Sequence, residues 1–229
     1  MILVTGANGF IGKSVQDVLK KRELDFIVFE GDLTDIATYP DDKLDYIIHL
    51  AALVTHTKEW KSEELAEVNV GGTSHLLDKY PNVKMVYVST TDVEKNLLTP
   101  YAQTKQQAEH LVLKHGQHAV IRIPSVFGPQ QTQDKLIPRL IKHYFQNKPC
   151  VVENDSVREY VFVYDVANFI IDHMDGVGIQ RMSGIKINNY RVREMVEAIC
   201  NHGDMTFSSP GEAMFFKQLE ECCNVYHHV

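Results

Sequence analysis

Three glycines near the amino end, Gly6, Gly9 and Gly12 of Thr5-Gly-Ala-Asn-Gly-Phe-Ile-Gly12, have the spacing to hold a phosphate group. Gly6 permits a tight exit from a strand, Gly9 lets backbone N–H groups approach a pyrophosphate, and Gly12 lets the following helix pack closely on a sheet. The first turn of that helix offers unpaired N–H donors and the positive end of its dipole to an anion. Glu30 follows Gly12 at about the interval where an acidic residue takes the adenosine ribose hydroxyls of a dinucleotide. A carboxylate there repels a 2′-phosphate, which favours NAD while leaving NADP possible. Asp32, in Gly31-Asp-Leu-Thr-Asp35, is the other candidate for facing the adenosine, and a mere strand-ending acid is the plainer alternative.

A second group of residues lies further along. The hydroxyls of Ser89-Thr90-Thr91 end an apolar run, and hydroxyls at the carboxyl end of a parallel strand lie where open α/β sheets bind ligands. Tyr101 and Lys105 are four apart, so on a helix both project from one face, about 6 Å apart along the axis.

The elements that must position these groups read from periodicity. Met1 to Val4 is an apolar strand, followed by a helix with Phe10, Ile11, Val15, Val18 and Leu19 on one stripe. Strands are predicted at Asp25–Glu30, Leu44–Ala52, Val83–Ser89 and His118–Pro124, separated by helices at Glu63–Tyr80 and from Tyr101 through Val112. Small residues after Leu50, namely Ala51 and Ala52, leave room for a ligand at their strand's carboxyl end. Gly71-Gly72 interrupts the Glu63–Tyr80 helix at about 1 kcal/mol per glycine, which close packing on the sheet would justify. Pro100 suits a helix start. Beyond Phe127-Gly-Pro129 the alternation loosens: helices at Leu136–Phe145, Val166–Met174 and Arg193–Asn201, strands at Pro149–Glu153, Arg158–Tyr164 and Lys186–Asn188.

Bulk properties narrow the function classes. The chain has 229 residues, 44% hydrophobic and 23% charged, ordinary for a globular protein able to bury a full core. A net charge of −7 without a dense Lys/Arg cluster argues against nucleic acid as a partner. No apolar run reaches the ~18 residues of a spanning helix, so no membrane is expected. Met1 feeds straight into the first strand, so a cleavable leader would destroy the glycine turn. Cys150, Cys200, Cys222 and Cys223 show no CxxC spacing, and the eleven histidines no HExxH pattern. Free thiols in a reducing, cytoplasmic compartment and no metal site are the expectation.

Five stretches in order, TGANGFIG at 5 to 12, GDLTD at 31 to 35, HLAA at 49 to 52, NVGGT at 69 to 73 and YAQTK at 101 to 105 with VSTT before it, carry a resemblance. Together the chain resembles the extended short-chain dehydrogenase/reductase superfamily, the NAD-dependent epimerase/dehydratase (nucleotide-sugar) family, in an unusually short form. The resemblance implies an α/β fold, a doubly wound parallel Rossmann-type sheet with a small carboxyl-terminal substrate lobe. Residues 1–130 would bind NAD(P) and 131–229 would form a reduced substrate lobe interleaved with the same fold, the active site lying in the crevice between.

The same resemblance assigns roles. Cofactor contact falls to Gly6, Asn8, Gly9, Phe10, Ile11 and Gly12 of the turn, to Glu30, Asp32 and Leu33, and to Leu50, Ala51 and Ala52. Tyr101 resembles the catalytic tyrosine that exchanges a proton with a substrate hydroxyl or carbonyl. Lys105 would lower its pKa through positive charge and bind the nicotinamide ribose. Thr90 aligns with the catalytic Ser/Thr that holds the reacting oxygen, with Thr91 beside it. Taken singly, Tyr101 reads equally as a capping aromatic, Lys105 as a solvated charge and Thr90 as a hydroxyl bonding backbone. Lys135 and Arg158 lie in stretches similar to substrate-binding segments, Arg158 as the guanidinium for a diphosphate, against the alternative of a surface ion pair with Glu159 or Asp155, while Ser125 stands where many relatives have an asparagine near the sugar phosphates.

The departures carry information too. One βα unit after the first helix is missing, the loop between Thr90 and Tyr101 is cut down, and Thr91-Asp92 replaces the adjacent Asp-Glu pair of the dehydratases. The implied function is therefore an oxidoreductase/epimerase acting on a nucleotide-diphosphate sugar through a 4-keto species, with a keto-sugar reductase or 4,6-dehydratase as alternatives. A non-catalytic dinucleotide-sensing regulator is the alternative of another class. A homodimer through the helices at 63–80 and 101–114 is also implied.

Overall fold

The structure, a computed structural model, describes residues 1–54, 60–149, 151–152 and 154–226. The chain divides into two compact units, Met1–Ile123 with Val166–Met182, and Pro124–Asp165 with Ser183–Val229.

In the first unit the apolar runs become strands β1 (Ile2–Thr5), β2 (Phe26–Val28), β3 (Tyr46–His49), β4 (Lys84–Thr90) and β5 (Ala119–Ile123). With β8 (Gly178–Arg181) they form a parallel sheet in the order β2-β1-β3-β4-β5-β8. β1 thus has its successor β2 on one side and β3 on the other. Right-handed crossovers then put α1 (Phe10–Lys21) on one face and the helices that follow β3 on the opposite face, which is double winding. The switch point lies where the chain leaves β1 through the glycine turn. The lower layer of the sheet buries Leu3, Ile47, Met85, Tyr87 and Val120 in one core with Leu76, Leu77, Ala108 and Val112.

The helix expected over Glu63–Tyr80 is α2 (Ser62–Ala66), one π-helical turn (Glu67–Gly71) and α3 (Gly72–Lys79) in succession. A Cβ on Gly72 would lie 2.8 Å from Leu33 Cβ, whereas the nearest atom to one on Gly71 is 4.0 Å away. Gly72 is therefore explained by the loop after β2, not by the sheet, and no contact explains Gly71. α4 (Pro100–Lys114) begins at Pro100, with Thr99 Oγ1 accepting from Ala102 N at 3.2 Å as its cap. α6 (Val163–Asp172) starts three residues before the predicted helix.

In the second unit β6 (Ser125–Phe127) pairs parallel with β7 (Val157–Phe162), and β9 (Ile185–Asn188) pairs antiparallel with β7. α5 (Leu136–Phe145), α7 (Asn189–Cys200) and α8 (Pro210–Tyr226) share a core built on Phe127, Tyr160, Phe162 and Phe215. β7 is exposed at its start and buried at its end, so it enters the core endwise, and the last two residues of the strand expected over Arg158–Tyr164 belong to α6. Of the strand expected over 149–153, Pro149, Val151 and Val152 form none, and Cys150 and Glu153 lie outside the described residues. Cys200, Cys222 and Cys223 are free thiols. Among the described residues no helix is long and apolar enough to cross a membrane, and no cluster of three or more His, Cys, Asp or Glu could hold a metal.

Candidate active site

The glycine turn is built around three backbone contacts. Gly6 has φ +67°, and a Cβ there would sit 2.6 Å from Ala51 N and 2.9 Å from Leu50 C, so the turn leans on the residues after β3. Gly9 N donates to Gly6 O at 3.0 Å. A Cβ on Gly12 would lie 2.2 Å from Gly6 O and 2.6 Å from Ala7 Cα. This corrects the expectation from sequence: Gly12 is required because α1 packs on its own preceding turn, rather than on the sheet. Asn8 and Gly9 are exposed, Phe10 and Ile11 half-buried. Among the described residues no side chain caps α1, which leaves the donors of its first turn, at the positive end of the helix dipole, without a side-chain acceptor.

Past β2, Glu30 is exposed while Asp32 is committed locally. Asp32 Oδ1 accepts from Thr34 N and Thr34 Oγ1, both at 2.8 Å, and these bonds lower its pKa. Leu33 departs from the cofactor-contact expectation through its side chain, which is buried in the core against Gly72. Its carbonyl accepts from Tyr39 Oη at 2.8 Å. Both acids are exposed, and Asp32 has one carboxylate oxygen already engaged by Thr34.

The residues after β3 are held by a polar network that sequence reasoning misses. Thr73 Oγ1 donates to Asn69 O at 2.7 Å, so it accepts from His49 Nε2 at 3.0 Å. His49 Nδ1 then accepts from Thr5 Oγ1 at 2.6 Å, and Thr5 Oγ1 accepts from Ala51 N at 3.2 Å. These directions require a neutral His49, consistent with burial, and secondarily Lys105, pushing its pKa down to about 3. Asn69, turned inward by the π-helical turn, accepts from Leu53 N at 2.7 Å and donates to Leu53 O at 3.0 Å and Thr104 Oγ1 at 3.1 Å. Polar residues inside the apolar runs HLAA and NVGGT are the available signal.

A pH prediction arises here. His118, at the start of β5, accepts from Met85 N at 3.1 Å and is held at about pKa 4 by burial, then by His115 and Lys84. Both His49 and His118 sit below the ordinary value of 6.5, so the unfolded chain binds more protons between pH 6.5 and 4, and stability falls as pH falls through that window. Between pH 7.5 and 5 the loss should total roughly 2 to 4 kcal/mol, read from urea midpoints. A midpoint flat across that range would refute the neutral buried pair.

At the carboxyl end of β4, Thr90 Oγ1 accepts from Asp92 N at 3.1 Å and caps a 3₁₀ turn at Thr91–Glu94. On α4, Tyr101 is half-buried and Lys105 is 2% exposed. The Lys105 ammonium stands 4.0 Å from the centroid of the Tyr87 ring. Burial pushes its pKa down to about 7, against an opposing pull from Glu109. The expectation from sequence is a lowered Tyr101. Instead, burial first and the Asp92 carboxylate second push its phenol up to about 12. An ammonium near 7 is only partly charged at neutral pH and rests on another ring, so it does not offset desolvation.

Ser125, Lys135 and Arg158 lie in the second unit. Ser125 is exposed in β6. Lys135 precedes α5, whose first turn no side chain among the described residues caps, and its Nζ is 4.0 Å from Asp134 Oδ2. Burial lowers its pKa, Asp134 opposes this and Arg158 adds to it, so the two cations share one neighbourhood. Arg158 is exposed.

An open parallel sheet with a glycine turn at its switch point, an uncapped helix and an acid after the second strand defines a Rossmann-type dinucleotide-binding fold. The chain belongs to the NAD dependent epimerase/dehydratase family, whose model matches residues 2–177. It is 27% identical over 232 residues to the dTDP-D-glucose 4,6-dehydratase of Dictyostelium discoideum, an alignment covering 73% of this chain and 54% of that protein. The chain spans about half the length of such curated relatives. Its fold is similar to that of the UDP-glucose 4-epimerase of Thermotoga maritima, solved with UDP-glucose, at TM-score 0.84 and 18% identity, covering 99% of this chain and 98% of that one. The Thermus thermophilus UDP-glucose 4-epimerase, solved with NAD, matches at TM-score 0.80 and 21% identity over 99% of this chain and 98% of that one.

Proposed function

We propose that this protein is an NAD-dependent oxidoreductase/epimerase of nucleotide-diphosphate sugars, working through a 4-keto species. The observation that carries the reading is an ammonium buried to 2% exposure one helical turn from a phenol, in the unit that also holds the uncapped glycine turn. Burying a lysine costs several kcal/mol and is retained where its charge or proton is used.

The residues present fit the cofactor. A Cβ would fill the cradle at Gly6 and Gly12, α1 offers its free donors to a pyrophosphate, and the open Glu30 suits ribose hydroxyls and disfavours a 2′-phosphate. When bound, NAD supplies the hydride acceptor and donor. Tyr101 moves the proton at the sugar's C4 oxygen, Thr90 donates its remaining O–H to that oxygen, and Lys105 holds the nicotinamide ribose and, when protonated, would bring the phenol down. Lys135 and Arg158 hold the diphosphate of the substrate, with Ser125 and Thr91 as further contacts.

A second reading, 4,6-dehydration, is supported by the names of several curated relatives and opposed by Thr91-Asp92 in place of an Asp-Glu pair. The test incubates purified protein with NAD and either UDP-glucose or dTDP-glucose and follows the sugar by NMR. Inversion at C4 is expected; a 4-keto-6-deoxy product would establish dehydration instead, and bound NAD without any change in sugar would establish a regulator. A homodimer through the helical stretch 63–80 (α2 through α3) and the helix at 101–114 (α4), and a cytoplasmic, reducing location, belong to the same reading. Light scattering of the same sample should give twice the chain mass, and a monomer would remove the dimer.

A further inference from the structure

The face of α4 that carries Tyr101 and Lys105 continues one turn further to Glu109, which is 2% exposed. Arg122, on β5, grips that carboxylate with Nε to Oε1 at 3.1 Å and Nη2 to Oε2 at 2.7 Å. Its third nitrogen, Nη1, lies 3.6 Å from Glu94 Oε1. Glu94 Oε2 in turn accepts from Arg181 Nε, on β8, at 3.1 Å. Glu94 closes the 3₁₀ turn that Thr90 caps. One chain of alternating charge therefore runs from the helix of Tyr101 and Lys105 to the loop that begins at Thr90.

Lys105 and Glu109 are four apart on α4, the spacing at which a carboxylate and an ammonium pair. With Glu109 held by a bidentate guanidinium, the ammonium lies over Tyr87 instead. The cut-down loop from Thr91 to Thr99, exposed from Glu94 to Leu97, has Glu94 as its tie to the sheet strands.

We propose that Arg122 is a positioning residue for the reaction assigned to Tyr101 and Lys105: by engaging Glu109 and Glu94 together it keeps Glu109 from claiming the Lys105 ammonium and ties the Thr90 turn to α4. The inference rests on the catalytic reading of those two residues and adds a charge that touches neither substrate nor cofactor. Lys105 is flanked by His49 of β3, Tyr87 of β4 and Glu109 of α4 itself; His49 is neutral, which leaves Glu109, among the described residues, as the carboxylate able to compete.

The test reads Lys105 directly, from the pH titration of its ¹³Cε resonance in lysine-labelled protein, assigned with Lys105→Gln. Arg122→Met should raise the midpoint by one pH unit or more and weaken NAD binding about tenfold by calorimetry, because the ammonium turns to Glu109. Arg122→Lys, which keeps the charge and loses the fork, should raise it by less. The double variant Arg122→Met with Glu109→Gln should return it to the wild-type value. Should Arg122→Met fail to fold, Arg122→Lys and the double variant decide. A Lys105 midpoint unmoved in Arg122→Lys and Arg122→Met overturns the proposal, as does a double variant that stays shifted. Wild-type protein that fails to bind NAD would sink the functional reading by a separate measurement.

Discussion

Replacing Tyr101 by phenylalanine should cut turnover of the nucleotide sugar by about 10²- to 10⁴-fold while NAD binds within about twofold of wild type. Phenylalanine keeps the ring and removes only the hydroxyl, so packing on α4 and the urea midpoint should change little. The size of the loss follows from the phenol's state. Burial and Asp92 hold it up at about 12, so at neutral pH it carries its proton and is ready as an acid when a carbonyl is reduced. Oxidation of a sugar hydroxyl asks the opposite of it, and positive charge at Lys105 must then bring the phenol down. Lys105, held near 7 by burial, gains charge as pH falls, so the oxidative direction should depend on pH around neutrality in wild type. Wild-type turnover in Tyr101→Phe would mean that another group moves the proton.

Much of this site is legible in the amino-acid sequence, because its parts are local. The glycine turn announces itself between an apolar run and a helical stripe, and Tyr101 and Lys105 share a face by spacing alone. The Gly6 contact with Ala51 is another matter, since it joins segments far apart in the chain. The same holds for Asn69, whose amide meets Leu53 and Thr104, and for Arg122 on Glu109. Each of these polar residues sits in an apolar stretch where nothing local names its partner. The rise in the Tyr101 pKa is hidden for the same reason, since it depends on burial that only packing creates. β8 and α8 escape sequence patterning for different causes. β8 is a strand by pairing with β5 and has exposed positions alternating with half-buried ones. α8 covers the second core with few of its residues, among them Phe215, Leu219, Cys222 and Cys223.

The turn itself yields the other large effect. Gly12→Ala would drive a Cβ to 2.2 Å from Gly6 O and 2.6 Å from Ala7 Cα, both backbone atoms with no rotamer to yield. Gly6→Ala meets Ala51 N at 2.6 Å and also forces an L residue to φ +67°. Overpacking at Gly12, and overpacking with left-handed strain at Gly6, should each cost about 3 kcal/mol or more, and the displaced turn should lose NAD. Gly9 differs in kind. Its nearest neighbour to an added Cβ is Gly6 O at 3.1 Å, and otherwise it is exposed at the start of α1. Gly9→Ala should therefore cost at most about 1 kcal/mol of stability, since the residue already has φ −73°. Its methyl nevertheless stands where a pyrophosphate must approach the backbone, so affinity for NAD should fall at least tenfold. Urea midpoints and NAD titrations on the three variants separate the two roles. A Gly12→Ala protein with the wild-type midpoint would show that α1 does not pack on its own turn, and Gly9→Ala with undiminished NAD affinity would move the phosphate elsewhere.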